Sequence, residues 1–258
     1  MVEEENDWSG DLNDDPDRLR SMLESLRNDA EAKNRFLRIV AHDLLSPVTS
    51  ISGLTKYLLK PDSVSNLTDR QMNIIQTMDR ALDRYMETLA NIMELSRLLR
   101  GKSDLHPGNI SCQELIGNVM PKLGEKAVGK GIDLITKYKG GEEVFVDHNA
   151  AERTFARLLD NAIMFTGEGG RVEVDCRADG RQMILEVQDN GVGIERGRLE
   201  KIFDIDEKNH TLGTCDERGS GMGLCIARRT AILCGGDLTI DSEPGEGTVV
   251  RFRLPRGG

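Results

Sequence analysis

The sequence predicts an α+β fold in which a long helical hairpin precedes an α/β sandwich. Apolar residues recur at alternating steps of three and four over two long stretches separated by a polar turn, which indicates the hairpin. Beyond Pro107 and Gly108, helical periods are interleaved with strict apolar–polar alternation, which indicates the sandwich. We expect residues 1–17 to form a disordered acidic tail, residues 18–103 the hairpin, and residues 104–258 the second domain.

Two heptad stripes predict the hairpin helices. The first stripe comprises Leu19, Leu23, Leu26, Ala30, Lys33, Leu37, Val40 and Leu44. The second comprises Ile75, Met78, Leu82, Tyr85, Leu89, Ile92, Ser96 and Leu99. We expect Pro47 to kink or interrupt the first helix, and Gly53, Pro61 and residues 62–69 to form the turn. One hairpin leaves its seam half covered, so a homodimer that closes a four-helix bundle is the economical arrangement. The alternative is an intramolecular coiled coil packed on the second domain.

The second domain is predicted to contain three helices and six strands. Helices are expected at 112–128, 148–165 and about 222–234, and strands at 132–138, 143–147, 171–177, 183–188, 237–241 and 248–254. Asp147 stands where it can cap the second of these helices. That helix places Phe155, Leu158, Leu159 and Ala162 on one face. Helices on one face of a mixed sheet make an α/β sandwich.

Composition excludes several classes of protein. The net charge of -10 over 258 residues argues against a non-specific nucleic-acid binder. No apolar run approaches the ~18 residues of a membrane span, and the acidic start is unlike a signal peptide, so we expect a cytoplasmic chain. The five cysteines show no C-x-x-C pair, which predicts reduced thiols that serve as small buried apolar residues.

The segment F-L-R-I-V-A-H-D-L-L-S-P at 36–47 carries the first candidate site. With Val40 and Leu44 in the seam, His42 falls on the outward face of its helix. Asp43 can accept the Nδ1 proton and leave Nε2 free to attack, which would make His42 a nucleophile and Asp43 its base. Ser46 follows one helical turn later. The alternative is a solvated histidine without a catalytic role.

Two glycine-rich segments carry the second candidate site. In D-N-G-V-G-I at 189–194, Asp189 closes a strand, and Gly191 and Gly193 allow a sharp bend with close backbone approach to a ligand. In G-S-G-M-G-L, Gly219, Gly221 and Gly223 open a helix, where backbone N–H groups favour phosphate. The alternatives are a plain turn and a mobile linker. Thr248 ends a further segment, G-E-G-T, that leads into the last strand.

The order and flanks of these segments, over roughly residues 30–255, resemble the sensor histidine kinases of bacterial two-component systems. The resemblance implies a dimerisation and phospho-acceptor hairpin followed by an ATP-binding domain of the histidine kinase/Hsp90-like type. It implies that His42 takes the γ-phosphoryl group of ATP and passes it to an Asp of a response-regulator receiver domain. Three routes for the signal stay open: residues 1–30, an upstream sensor protein, or a further part of a longer protein. The residue matching Asp189 accepts the adenine amino proton, the residue matching Asn161 coordinates Mg²⁺, and residues 204–218 resemble the lid over ATP.

The sequence also departs from the family pattern. The family usually has a basic residue where Leu45 stands, and Thr or Asn where Ser46 stands, a position that orients water for phosphatase activity. It has Asn or an acidic residue at Arg157 and a basic residue at Met164, and a second aromatic at Asp206. We expect Arg157 to contact phosphate or to repel Mg²⁺. Two other functions stay open: a scaffold that binds nucleotide without efficient turnover, and a serine kinase or clamp ATPase of the same nucleotide fold.

Overall fold

The computed structural model describes residues 16–60, 67–98, 105–138, 140–204, 213–215 and 221–257. Its first half is an antiparallel pair of helices, α1 (Pro16–Leu58) and α2 (Asp69–Leu98). Polar contacts fix their register: Thr55 Oγ1 donates to Asp79 Oδ1 at 2.9 Å, and Lys56 Nζ lies 2.9 Å from Asp83 Oδ1. The predicted hairpin is therefore present.

A heptad row on α1 packs against α2. Its members are buried or partly buried and follow steps of four and three: Ala41, Leu45, Val48, Ser52 and Thr55. Because this row continues on both sides of Pro47, packing holds the helix together where the proline removes one hydrogen bond. Of the two outcomes predicted for Pro47, the interruption of the helix is therefore wrong, and the kink stays a prediction. Gly53 also lies inside α1 and not in the turn, and residues 61–66 of the predicted turn are outside the described residues.

A second apolar row on α1 remains exposed in the single chain. It comprises Leu37, Val40, Leu44, Ile51, Leu54 and Leu58. On α2, Ile74, Met78 and Tyr85 are exposed in the same way. The predicted seam at 37, 40 and 44 thus belongs to this uncovered row, whereas its members before Leu37 lie outside the described side chains. Leu99, at the end of the second stripe, is also outside the described residues.

The second half is built on a mixed five-stranded sheet in the order β2-β4-β5-β7-β6. Its strands are β2 (Asp133–Thr136), β4 (Arg171–Asp179), β5 (Gln182–Asp189), β6 (Asp237–Glu243) and β7 (Gly247–Pro255). Strand β2 runs parallel to β4, and the other neighbours are antiparallel. A separate pair joins β1 (Pro107–Ser111) to β3 (Glu143–Asp147).

The helices of this half are α3 (Cys112–Gly129), α4 (His148–Phe165), α5 (Arg196–Leu199) and α6 (Gly223–Leu233). Helices α3, α4 and α6 share one core with the inward side chains of the sheet, such as Val174, Leu185 and Phe252. The opposite face carries charged side chains, with Glu186 bound by Arg177 and Arg251. Hydrophobic burial on one face and solvation on the other explain the alternation in the strands, and the predicted α/β sandwich is confirmed.

Helix α4 follows its prediction closely. Its predicted apolar face is buried, and Asp147 Oδ1 accepts the N–H of Ala150 at 2.8 Å as an N-cap. Strand β1 and helix α5 have no counterpart in the sequence predictions. The predicted domain boundary between residues 103 and 104 lies among undescribed residues and stays a prediction. The acidic tail stays a prediction for residues 1–15, which are not described, whereas residues 16 and 17 belong to α1.

Candidate functional site

His42 lies on α1 with its ring in solvent. The side chain is 73% exposed, and Nδ1 lies 3.3 Å from Asp43 Oδ1, a long contact that leaves Nε2 as the ring nitrogen available for attack. Ser46 is exposed one turn further along. At 100° per residue, His42 and Ser46 lie on the side of α1 opposite the uncovered apolar row. The predicted exposure of His42 beside Asp43 is therefore what the structure shows.

Asp189 ends β5 as a buried carboxylate with 7% exposure. Its Oδ1 accepts the backbone N–H of Gly191 at 2.9 Å, and Thr248 stands opposite it in β7. Burial raises the pKa of Asp189 to about 6, although hydrogen bonds from the backbone N–H groups of Gly191 and Thr248 act to lower it. A buried carboxylate of this kind is suited to accept an N–H group from a bound ligand.

The loop after Asp189 leaves no room for side chains at its two glycines. A Cβ on Gly191 would lie 2.3 Å from the carbonyl oxygen of Phe165, at the end of α4. Gly193 has φ +66°, and a Cβ there would lie 1.9 Å from the carbonyl oxygen of Glu243. The loop is thus held between α4 and the β6–β7 turn, which places Asp189, Gly191, Gly193 and Thr248 in one site.

The second glycine segment leads into α6, as predicted. Gly223 is the first residue of the helix, Gly221 has φ +69°, and Gly219 is outside the described residues. The cap residue, Met222, makes no side-chain hydrogen bond to the first turn. The Met222 side chain thus leaves the backbone N–H groups of this turn uncapped, and such groups are suited to an anion. Helix α6 packs on α4, which carries the partly exposed Asn161.

Two family profiles match the chain at these two sites. A profile described as "His Kinase A (phospho-acceptor) domain" matches residues 32–101. A profile described as "Histidine kinase-, DNA gyrase B-, and HSP90-like ATPase" matches residues 146–258. The chain therefore carries the phospho-acceptor domain and the ATPase domain of histidine kinases.

Curated relatives agree with this assignment, and a solved structure shares the fold. An uncharacterized sensor-like histidine kinase of Rhizobium meliloti is 29% identical over 226 residues, 87% of this chain and 43% of that protein. The methanogenesis regulatory histidine kinase FilI of Methanothrix harundinacea is 30% identical over 245 residues, 92% of this chain and 27% of that protein. The crystal structure of full-length ShkA in complex with AMPPNP has a TM-score of 0.69 at 22% identity, covering 86% of this chain and 46% of that one. The chain thus spans less than half the length of each.

Arg157, which departs from the kinase pattern, binds other partners than the phosphate expected for it. Its Nη2 donates to Asn91 Oδ1 at 2.8 Å and also to Glu94, and both residues lie on α2 of the hairpin. Arg153 Nε adds a second contact to Glu94 at 3.2 Å. The expectation that Arg157 contacts phosphate or repels Mg²⁺ is therefore corrected: its guanidinium joins the nucleotide domain to the hairpin.

This junction is largely shielded from solvent. The side chains of Glu94 and Arg157 are 16% and 20% exposed, and Asn91 is buried. Arg157 and Arg153 hold the pKa of Glu94 below its usual value, although burial alone would raise it. We call Asn91, Glu94, Arg153 and Arg157 the interdomain cluster. Sequence reasoning missed it because the partners are 63 residues apart, and only the position of Arg157 signalled something unusual.

The C-terminal end of α4 is a second feature that the sequence did not reveal. Lys130 Nζ donates to the carbonyl oxygens of Ile163 and Met164, at 3.0 and 2.7 Å. Thr214, in the described part of the predicted lid, donates its N–H to Met164 and its hydroxyl to Thr166. A cation therefore reaches this helix end from α3, although position 164 itself carries the buried Met164. The predictions about residues 205–212 and 216–220, Asp206 included, fall outside the described residues.

Proposed function

We propose that this chain is a protein histidine kinase, which transfers the γ-phosphoryl group of ATP to His42 and then to an aspartate of a response regulator. One observation carries the proposal. A solvent-exposed histidine with a carboxylate beside Nδ1 occurs in the same chain as a buried carboxylate behind a glycine loop. The relatives that are named histidine kinases support it, and because the chain spans only part of them, the activity of the whole protein belongs to this proposal.

His42 supplies the nucleophile. Asp43 holds the Nδ1 proton, so the lone pair on Nε2 can form the new bond to the γ-phosphorus while ADP leaves with the electrons of the broken P–O bond. Exposure of the ring allows two different molecules to reach it in turn, the nucleotide and the receiver domain of the response regulator. Ser46, one turn away, is suited to orient a water molecule for phosphatase activity, in which water removes a phosphoryl group.

The ATP site is built around Asp189. Its carboxylate accepts the adenine amino group, and Gly191, Gly193 and Thr248 form the wall beside it. The N–H groups that open α6, near Gly219, Gly221 and Gly223, face the phosphates. ATP, when bound, supplies an activated phosphoryl group. Every residue of this wall acts by binding and orienting the nucleotide.

Asn161 is the residue we assign to Mg²⁺. It lies on α4 with its side chain partly exposed, and its amide oxygen is a hard ligand of the type that Mg²⁺ accepts. No cluster of three metal-binding side chains occurs among the residues that the structure describes. The donor set therefore fits an ion that is held by one protein ligand, phosphate oxygens and water.

The uncovered apolar row of α1 supports a homodimer. Six aliphatic side chains on one face, with Ile74, Met78 and Tyr85 on α2, form a surface that a second hairpin would cover in a four-helix bundle. A kinase of this kind works in the cytoplasm, where ATP is available, and takes its signal from an upstream sensor. Within the described ranges, no helix combines the length and hydrophobicity needed to cross a lipid bilayer.

Incubation with γ-labelled ATP and Mg²⁺ tests the proposal. We expect label that is lost in acid, stable in alkali, and absent from His42→Gln. His148→Gln is the matched control, since His148 is an exposed histidine of the nucleotide domain, and it should retain the label. Label that persists in His42→Gln would remove His42 as the acceptor. Tight ATP binding without any label would favour a non-catalytic scaffold instead.

A further inference from the structure

Two cysteines that are far apart in the sequence meet in the core of the nucleotide domain. Cys112 and Cys176, which are 64 residues apart, have Sγ atoms 2.7 Å from each other. They are 1% and 5% exposed, and both are free thiols. The irregular spacing of cysteines in the sequence gave no sign of this pair.

The distance is short for two sulfur atoms that are not bonded. Non-bonded carbon atoms have their optimum at about 3.5–4.0 Å, and sulfur is larger, whereas a disulfide bond measures about 2.05 Å. Both residues are also held on regular elements. The N–H of Cys112 donates to the carbonyl oxygen of Glu142 at 2.9 Å, and Cys176 pairs with Leu185 inside the sheet. The fold therefore holds the two sulfurs close together.

The surroundings make one sulfur the better nucleophile. Cys112 is the first residue of α3, directly after the N-cap Ser111, where the helix dipole favours a thiolate. The Cys176 thiol donates to this sulfur, which lowers the pKa of Cys112. The same hydrogen bond, together with burial, raises the pKa of Cys176. Cys112 is thus suited to react first, and Cys176 to resolve the product.

We propose that Cys112 and Cys176 form a reversible intramolecular disulfide, which makes the nucleotide domain sensitive to hydrogen peroxide. The Cys112 thiolate attacks a peroxide oxygen and becomes a sulfenic acid, and hydroxide leaves with the electrons of the O–O bond and is protonated to water. The sulfur of Cys176 then attacks the sulfenic sulfur, loses its proton and expels a second water. Two thiols are oxidised, one peroxide is reduced, and a dithiol reductant reverses the reaction.

The bond would tie α3 to β4 at a distance from the nucleotide site. In the β4–β5 pairing, Val172 stands opposite Asp189 and Cys176 opposite Leu185, so Cys176 lies four residues along the strand, about 13 Å from the Asp189 end. Closing a loop of this length restricts the unfolded chain. We therefore expect oxidation to raise the melting temperature of the nucleotide domain by about 5–10 °C and to leave ATP affinity within about twofold.

The test oxidises the reduced full chain with hydrogen peroxide, alkylates the remaining thiols after unfolding, and maps peptides with and without dithiothreitol. We expect a peptide that links Cys112 to Cys176 and disappears on reduction, together with the rise in melting temperature. Cys215, which is exposed, reports that peroxide was active. If Cys112 and Cys176 both remain alkylatable after the half-buried Cys225 has been consumed, the proposal is overturned.

Variants separate the pair from the other thiols. Cys176→Val keeps an apolar side chain of similar volume in the core and should abolish both the linked peptide and the rise in melting temperature. Cys234→Ala, at a half-buried cysteine of the same domain, should abolish neither. A full rise in melting temperature on oxidation of Cys176→Val would contradict the assignment. Because these measurements read thiols and unfolding, they are independent of whether His42 is phosphorylated.

Discussion

Asp189 is a residue at which binding and stability oppose each other. A carboxylate with 7% exposure, whose pKa burial raises to about 6, is less favourable in the folded chain than in the unfolded one at neutral pH. The folded state binds its proton more tightly than the unfolded state does, so this group costs stability above pH 6 and the cost disappears as the pH falls below that value. We infer that this cost is retained because Asp189 is the ionised acceptor for an N–H group of the nucleotide, as proposed above.

Asp189→Asn should therefore stabilise the nucleotide-free chain at pH 7. We expect the free energy of unfolding to rise, by at most about 2–3 kcal/mol, since the amide removes the buried charge and can still accept the Gly191 N–H. The difference from the wild type should shrink as the pH is lowered from 7 to 5. Urea denaturation at several pH values measures this difference in the free energy of unfolding. A variant that is less stable than the wild type at pH 7 would show that the ionised Asp189 stabilises the fold.

At the scale of elements, α1 carries two apolar rows with different partners. The row that includes Ala41 and Val48 is covered by α2, whereas the row that includes Leu44 and Leu54 is exposed. Both rows lie in the same heptad pattern, which is why sequence periodicity predicted a long helix correctly and could not assign each side chain to a partner. His42 lies outside both rows and stays free for chemistry.

Leu54→Lys tests the uncovered row. Leu54 is 65% exposed in the single chain, so a lysine there costs little within one hairpin but would place a charge in the interface of a four-helix bundle. We expect the dimer dissociation constant to rise at least tenfold, with the helix content unchanged. Gly53→Lys, on the opposite side of α1 where an added Cβ meets open space, is the control and should remain dimeric. Sedimentation that shows equal self-association for the two variants would exclude this row from the interface.

The elements of the nucleotide domain differ in how well the sequence predicted them. Helix α4 and strands β4 and β5 were predicted almost to the residue. Asp147 marks the start of the helix, and the strict alternation of apolar and polar residues marks the buried side of each strand. Strand β1 was missed because it starts with Pro107 and Gly108, which resemble a linker, and α5 has only four residues. The contacts of Arg157 and the approach of Cys112 to Cys176 depend on how distant segments pack, so no local pattern reports them.

At the scale of the whole molecule, the interdomain cluster joins the two halves. The register of the hairpin, in which Thr55 meets Asp79 and Lys56 meets Asp83, places His42 at about the level of Glu94 on the neighbouring helix. Arg157 therefore docks α4 on the hairpin at the level of His42, and α6 also packs on α2. His42 itself remains exposed in this arrangement.

A double-mutant cycle of Glu94→Gln and Arg157→Gln measures this docking. Because both side chains are largely buried, each single change leaves a charge without its main partner, and we expect a coupling free energy of about 0.5–3 kcal/mol. Lys126 and Asp160 form the control pair, since they join α3 to α4 with about 40% exposure and should couple by less than about 1 kcal/mol. Additive effects in the Glu94–Arg157 cycle would mean that the domains do not dock through this cluster in solution.

We infer that ATP held at Asp189 is the phosphoryl donor for His42. The most direct measurement is the initial rate of His42 phosphorylation against Mg·ATP concentration, in the wild type and in Asp189→Asn. A neutral amide is a weaker acceptor for the adenine amino group, so we expect the half-saturating concentration to rise about 10- to 100-fold in the variant. In both proteins the label should stay on His42. The same half-saturating concentration in both proteins would show that Asp189 does not hold the ATP that phosphorylates His42.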